Sequence, residues 1–313
     1  MAILEKGRIR AALRGHVIVP MISPLTPSGK PDLTATFRVA DHIIGGGCQG
    51  LLVGGTNSEG PLLALAHRIA QIEAVVEHIA GHGMVYAGIG ATAFDDAVEL
   101  GRASLRSGAV AVVAHPPPCF IINTAEIEAY YLKLIDAVDG PFFIYNMPLT
   151  TGISIPLDVI GRLSTHPLVM GIKDSEGDAE RQALLAAMHK DRADFTVFCG
   201  AMAHSARSLA AGADGNVPSA GNLDPAACRQ LVDLSLSSAV VPSALAVAQD
   251  RVAAVSKVYQ EGRKLPAQIS ALKGCASLLG LCSPDMLPPL LTTTDTERFE
   301  LRQRLVRLHL PVS

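Results

Sequence analysis

The 313-residue chain is 49% hydrophobic and sets 26 Lys and Arg against 29 Asp and Glu for a net charge of −3, so it can bury a large core. Its charges are interspersed and only 4% of residues are aromatic, which excludes a general nucleic-acid footprint. Length alone admits either one large α/β barrel or two ordinary domains.

In chain order, the opening MAILEKGRIRAALRG has charges throughout and no uninterrupted apolar run, so it reads as neither a signal peptide nor a membrane span. Apolar runs follow at Val17 to Met21, Gly50 to Val53, Met84 to Ile89, Ala109 to Ala114, Phe142 to Tyr145, Leu168 to Ile172, Phe195 to Cys199 and, weakly, Asn216-Val217. Between them lie helical patterns. Leu65, Ile69, Ile72, Val76 and Ile79 recur at helical spacing, Ser107-Gly108 stops a helix, and Asn123 with Glu126 opens another through Val138 as a variant capping box. Continuous rather than alternating β-rich runs suit a parallel sheet buried on both faces. Eight β-then-α units predict a (β/α)8 TIM barrel over residues 12–236, with catalytic groups at the carboxyl ends of the strands. An open doubly wound sheet is the alternative, but no G-x-G-x-x-G follows the first strand. Beyond residue 236 the β signal ends. Leu245, Ala248, Val252, Val255 and Tyr259 form one helical stripe ending at Gly262, a second helix runs from about Ala267 to Leu279, and Thr294 with Glu297 caps a third. Residues 237–313 are therefore expected to be a C-terminal helical extension.

The reactive side chains cluster at the ends of two runs. Strand periodicity puts Phe143 and Tyr145 on one face, and Val169, Gly171 and Lys173 on one face of the next strand, so the phenol and the amine end adjacent strands and point into one space. A lysine stripped of water at the end of an apolar strand can attack a ketone as a free amine. The resulting protonated imine draws electrons from the neighbouring carbon, so C–C bonds form or break without a metal, and the Tyr145 phenol can carry the proton. The structural alternative is an ion pair of Lys173 with Asp174 or Glu176 and a core-packed tyrosine. Six cysteines, at positions 48, 119, 199, 228, 275 and 282, form no C-x-x-C pair, as expected of reduced thiols in a cytoplasmic protein. The histidines show no H-E-x-x-H. Three prolines between His115 and Cys119 deny that pair a helical ligand face, and neither metal nor cofactor is expected.

Tyr145-Asn146-Met147-Pro148, Thr151-Gly152, Gly171-Ile172-Lys173-Asp174 and the spacing between them resemble the pyruvate-dependent class I aldolases that include dihydrodipicolinate synthase and N-acetylneuraminate lyase. The resemblance covers nearly the whole chain and also implies a barrel. It makes Lys173 the residue that forms the Schiff base with pyruvate or a 2-oxo acid, and Tyr145 the proton carrier. It implies, too, that the helical extension packs on the barrel and that the chain assembles as a homotetramer, a dimer of dimers; from the composition and the opening residues no nucleic acid or membrane is expected as a partner. After the second strand, GGTNSEG is similar to the family's G-[ST]-T-G-E loop: Gly55, Thr56 and Glu59 match, whereas Asn57 and Ser58 depart. By position Thr56 is the relay hydroxyl and Asn57 holds the 2-oxo acid's carboxylate, although a Thr-Asn pair is also ordinary turn chemistry. The backbone around Val217, in the glycine-rich segment from Gly212 to Asn222, is implied to line the pocket. That segment also reads as tight turns, or as a phosphate cradle that no Lys or Arg supports.

Three departures bear on the substrate. Thr150 stands where dihydrodipicolinate synthases carry the arginine that pairs with the aldehyde's carboxylate. Pro118-Cys119-Phe120 replaces the P-Y-Y motif that lends a relay tyrosine across a subunit interface. Ala201, Met202 and Ala203 stand where sialic acid lyases hold an acidic pair. The sequence looks closer to 4-hydroxy-2-oxoglutarate and other 2-oxo-acid aldolases, with an apolar wall expected at Phe120 and Met202. The expected activity is a metal-independent lyase or aldolase acting on 4-hydroxy-2-oxoglutarate or a 2-oxo-3-deoxy acid. A dihydrodipicolinate synthase, a dehydratase or deaminase using the same imine, and a catalytically silent barrel that binds a 2-oxo acid are the alternatives.

Overall fold

The computed structural model describes residues 5–239 and 241–312; the side chain of Met202 lies outside what is described. After α1 (Ile9–Leu13), eight strand-then-helix units follow: β1 (His16–Pro20) and α2 (Leu33–Gly45), β2 (Gly50–Val53) and α3 (Leu65–His78), β3 (Met84–Gly88) and α4 (Phe94–Ser107), β4 (Ala111–Ala114) and α5 (Thr124–Val138). The second half adds β5 (Phe142–Asn146) with α6 (Pro148–Thr151) and α7 (Leu157–Leu163), β6 (Val169–Asp174) with α8 (Ala179–His189), β7 (Thr196–Cys199) with α9 (Ser205–Ala210), and β8 (Gly215–Asn216) with α10 (Pro225–Leu236). All neighbouring strands pair in parallel, and β8 closes on β1, so the chain is a (β/α)8 barrel. Three further helices follow: α11 (Pro242–Gln260), α12 (Leu265–Leu278) and α13 (Asp295–Arg307).

Local signals account for most boundaries. Asn123 accepts from the Glu126 N–H while the Glu126 carboxylate accepts from the Asn123 N–H, which completes the capping box of α5. Thr294 and Glu297 do the same for α13. Gly108, at φ 109°, ends α4 in the left-handed region that a glycine enters without steric cost.

Apolar side chains fill two regions, one between barrel and helices and one inside the barrel. Inside, Tyr86, Phe143 and Phe198 meet edge to face, with ring centroids 5.7 and 6.2 Å apart. Glycines make the room for these rings: a Cβ on Gly171 would strike Phe143 and Thr196, and one on Gly215 would strike Phe198 and the His16 carbonyl. The glycine-rich segment thus serves close packing around β8. Asp214, just before that strand, is a buried partner of Arg10 at 2.6 Å.

The stripe predicted for α3 packs on the core, with Ile72 and Ile79 buried, but the buried face is wider than that stripe. Leu65, Ile69 and Val76 are only partly buried, whereas Arg68 and Gln71 are buried with Ile72 and Val75. The Arg68 guanidinium donates to the carbonyls of Gly90 at 3.1 Å and Gly88 at 2.8 Å, and Gln71 accepts from the Ser23 hydroxyl at 2.8 Å. Loop carbonyls at the carboxyl ends of the strands need donors once buried, and Arg68 meets that need, while Gln71 Oε1 gives the buried Ser23 hydroxyl its acceptor.

Candidate active site

Adjacent register places the two reactive residues together. Tyr145 pairs with Lys173 across β5 and β6, Asn146 pairs with Asp174, and Lys173 Nζ lies 3.9 Å from the Tyr145 ring centroid. Both side chains are buried at the carboxyl end of the barrel. The carboxylates that a structural ion pair of Lys173 would use are engaged elsewhere. Arg181 Nε lies 2.8 Å from Asp174 and 3.2 Å from Glu176, and Asn146 Nδ2 donates to both carboxylates at 2.8 Å. Gln182 donates to the other Asp174 oxygen, and Asn146 Oδ1 accepts from the Ile155 N–H. This network holds the ends of β5 and β6 in register from behind and leaves the amine facing the cavity.

The Tyr145 phenol is set among polar groups. Burial pushes its pKa up, but the Lys173 charge and hydrogen bonds with Thr56, Lys173 and Ser175 outweigh burial and hold it below the usual phenol range. Ser175 was not singled out from the sequence, yet a signal was there: it lies two residues beyond Lys173, on the same side of the extended chain.

Thr56 and Asn57 open a short 3-10 turn, Thr56–Ser58, after β2, and both line the cavity. Asn57 Nδ2 donates to the Pro20 carbonyl at 3.3 Å, which turns the amide toward the end of β1. Gly55 caps that turn and borders a small space behind Tyr145 rather than the main cavity. Ser58 fastens the turn to β1, donating to the Met21 carbonyl at 2.5 Å and accepting from the Gly54 N–H. Glu59 points away from the cavity. It sits in the left-handed region at φ 55°, fully buried, in an ion pair with Lys273 of α12, and it accepts from the Leu287 N–H at 2.7 Å. Lys273 also donates to the Asp285 carbonyl at 2.9 Å; burial lowers its pKa and Glu59 opposes that shift. The helical extension is thereby bolted to the loop that carries Thr56 and Asn57.

The cavity encloses about 140 Å³, and Val217 is among the residues that line it. The wall expected at Phe120 is different: Phe120 is 76% exposed on the loop between β4 and α5, and the Met202 side chain is outside the described residues. Apolar lining comes instead from Met147 and Leu149 beside β5 and from Leu265, Ile269 and Leu272 of α12. The helical pattern of the extension gave no sign that it reaches the site. Thr150 bonds back to the Met147 carbonyl and does not line the cavity. His115 is buried with its ring 5.9 Å from that of Tyr145; burial lowers its pKa and its Nδ1 bonds the Pro116 carbonyl.

The sequence profile of the dihydrodipicolinate synthetase family matches residues 13–308. The chain belongs to that family. It is therefore a pyruvate-dependent, metal-independent class I aldolase in the broad sense, working through a lysine imine. A 4-hydroxy-tetrahydrodipicolinate synthase of Xanthomonas campestris pv. campestris is 32% identical over 219 residues, 70% of this chain and 72% of that protein. The 4-hydroxy-tetrahydrodipicolinate synthase 2 of Streptomyces coelicolor is 28% identical over 291 residues, 92% of this chain and 93% of its own. Among solved structures, dihydrodipicolinate synthase from Bacteroides thetaiotaomicron superposes with a TM-score of 0.88 at 27% identity, covering 94% of this chain and 98% of that one. The prophage protein YagE of E. coli K12, solved in complex with pyruvate, shares the fold at a TM-score of 0.88 and 24% identity, with the same coverage. Among the described residues no helix is long and apolar enough to cross a membrane.

Proposed function

We propose that the protein cleaves a small 2-oxo acid bearing a hydroxyl at C4, of the 4-hydroxy-2-oxoglutarate or 2-oxo-3-deoxy acid type, to pyruvate and an aldehyde. Lys173 Nζ attacks the C2 carbonyl and water leaves, giving a protonated imine. Tyr145, as phenolate, takes the proton from the C4 hydroxyl; the C3–C4 bond breaks and its electrons enter the iminium to give an enamine. The phenol returns its proton to C3, and hydrolysis of the imine releases pyruvate and restores the amine. Before cleavage the positive iminium beside Tyr145 stabilises the phenolate; as the C3–C4 bond breaks the iminium becomes a neutral enamine and the phenolate a neutral phenol, so both charges are lost together. Thr56 and Ser175 hold the phenol oxygen, Thr56 and Asn57 hold the substrate carboxylate, Gly55 caps the turn that presents those two residues, and Val217 shapes the space around the substrate. Residues 12–236 act as the catalytic barrel, residues 237–313 complete the site, and the assembly is a homotetramer (dimer of dimers) in the cytoplasm.

The observation that carries this reading is the contact of Lys173 with Tyr145, flanked by two hydroxyls, in a cavity with no arginine among the described residues that line it. A second reading, 4-hydroxy-tetrahydrodipicolinate synthase, draws on the names of the relatives. Against it, Thr150 offers no charge to the carboxylate of aspartate semialdehyde. Pyruvate release from a panel of 2-oxo acids, followed by a coupled dehydrogenase, separates the two. Cleavage of a C4-hydroxylated 2-oxo acid should exceed condensation of pyruvate with aspartate semialdehyde in kcat/KM. The reverse order refutes the proposal.

A further inference from the structure

The wall behind Tyr145 is built largely from main chain. A space of about 10 Å³ lies there, bordered by Tyr145, His115 and the glycines Gly54, Gly55, Gly88 and Gly90. A Cβ on Gly88 would lie 2.8 Å from the Gly54 carbonyl oxygen and the Gly55 nitrogen, and one on Gly60 would strike the same carbonyl. The carboxyl ends of β2 and β3 therefore meet main chain to main chain, and the loop that carries Thr56 and Asn57 leaves from that junction. Glycines have no side chain to set the spacing of such a junction, so a group outside it must.

Arg68, in the first turn of α3, is that group. Its Nη2 donates to the Gly88 carbonyl at 2.8 Å and the Gly54 carbonyl at 3.4 Å, and its Nη1 donates to the Gly90 carbonyl at 3.1 Å. The side chain is buried, and its hydrogen-bond partners among the described residues are all main-chain carbonyls. Burial lowers its pKa to about 10, with Asp96 opposing the shift, so the guanidinium is charged in neutral solution. A cation taken out of water and matched only with neutral carbonyls is a poor source of stability. Its planar fork instead holds three carbonyls from two strand ends in one frame. Two residues beyond Gly54, the Thr56 hydroxyl bonds the Tyr145 phenol. Arg68 itself does not line the cavity.

We infer that Arg68 is a positioning residue for the proton carrier: its fork fixes the junction of β2 and β3 so that Thr56 stays on the phenol oxygen of Tyr145. This rests on the roles proposed above for Tyr145 and Thr56, and adds a residue that touches neither the substrate nor the phenol. Without the fork the Gly54 carbonyl is free to turn, Thr56 moves with it, and the phenolate loses one of the bonds that stabilise it.

The test is exchange of the pyruvate methyl protons in heavy water, expressed per site that borohydride traps, so that loss of folded protein cancels. Arg68→Met should slow exchange per trapped site at least about tenfold and move the acidic limb of its pH profile upward. Arg68→Lys keeps the charge but gathers its donors at one point, and should remain slower than wild type by at least about threefold. In a Thr56→Val background, where the bond to the phenol is already gone, Arg68→Met should cost less than about threefold more, because the two residues act through one contact. Exchange per trapped site equal to wild type in Arg68→Met, full recovery by Arg68→Lys, or the same factor in both backgrounds overturns the inference. Should Arg68→Met not fold, Arg68→Lys carries the same comparison in the same two backgrounds. If the wild type exchanges no methyl protons, or Tyr145→Phe exchanges as fast as wild type, the proton-carrier reading fails and the inference falls with it; slow exchange in Tyr145→Phe beside unchanged exchange in the Arg68 variants refutes the inference alone.

Discussion

Replacing Tyr145 by phenylalanine removes a single oxygen from a buried ring that packs against His115 and Lys173, so the barrel interior is unchanged while the proton carrier is lost. That oxygen is hydrogen-bonded with Thr56, Lys173 and Ser175, and its pKa is held below the usual phenol range chiefly because the Lys173 charge and these bonds overcome burial. A positioned acid–base group contributes about 10²–10⁴ in rate, or roughly 3–5 kcal/mol of barrier. The assay is loss of the pyruvate methyl signal in heavy water, followed by NMR. In the wild type, exchange should rise with pH to a plateau reached below pH ~10, the value for a free phenol. In Tyr145→Phe it should fall at least about 10²-fold, while borohydride still traps pyruvate on the protein, because imine formation keeps its amine. Exchange within about threefold of wild type, against that expected factor, would remove Tyr145 from the mechanism.

Other expectations follow from the same geometry. Ser175→Ala deletes one of the phenol's partners and should slow exchange about tenfold, with the acidic limb of its pH profile moved upward; an unmoved limb would argue that Ser175 is only a lining residue. Lys273→Met leaves the buried Glu59 carboxylate with the Leu287 N–H as its remaining partner, and should cost about 3–5 kcal/mol in urea unfolding. Adding Glu59→Gln should recover part of that loss, and strict additivity of the two changes would deny the coupling. His16 is held at about 4 rather than 6.5, first by burial and then by the nearby Arg229 charge. Because the folded pKa is the lower one, its contribution is complete above pH 6.5 and is lost as pH falls from 6.5 through 4. Solvent screening leaves roughly 2 kcal/mol of it, so His16→Gln should lose correspondingly less stability than wild type between pH 7 and about 4.

The barrel was legible because strands covered on both faces read as uninterrupted apolar runs, and those runs fell within a residue or two of the observed strands. Lys173 and Tyr145 were legible for a related reason: a polar side chain ending such a run stands out, and period-2 alternation gives its direction. Ser175 obeyed the same alternation but lay beyond the apolar run, where one serine resembles any loop residue. Arg68 could not be read as buried, since its partners are backbone carbonyls that carry no sequence signature. Glu59 and Lys273, 214 positions apart, meet only through the docking of the extension, and no periodicity within α12 announces such a partner. The same docking brings Gln268 and Leu272 to the cavity, whereas Phe120, apolar and near the replaced relay motif, turned outward.

The central claim is that Lys173 is the amine that bonds to the 2-oxo acid. Incubation with pyruvate and borohydride, followed by intact mass and peptide mapping, tests it directly. One reduced pyruvyl adduct per chain, on the peptide containing Lys173 and absent from Lys173→Ala, is the predicted result; an unmodified mass, or an adduct on another lysine such as the buried Lys273, would contradict it.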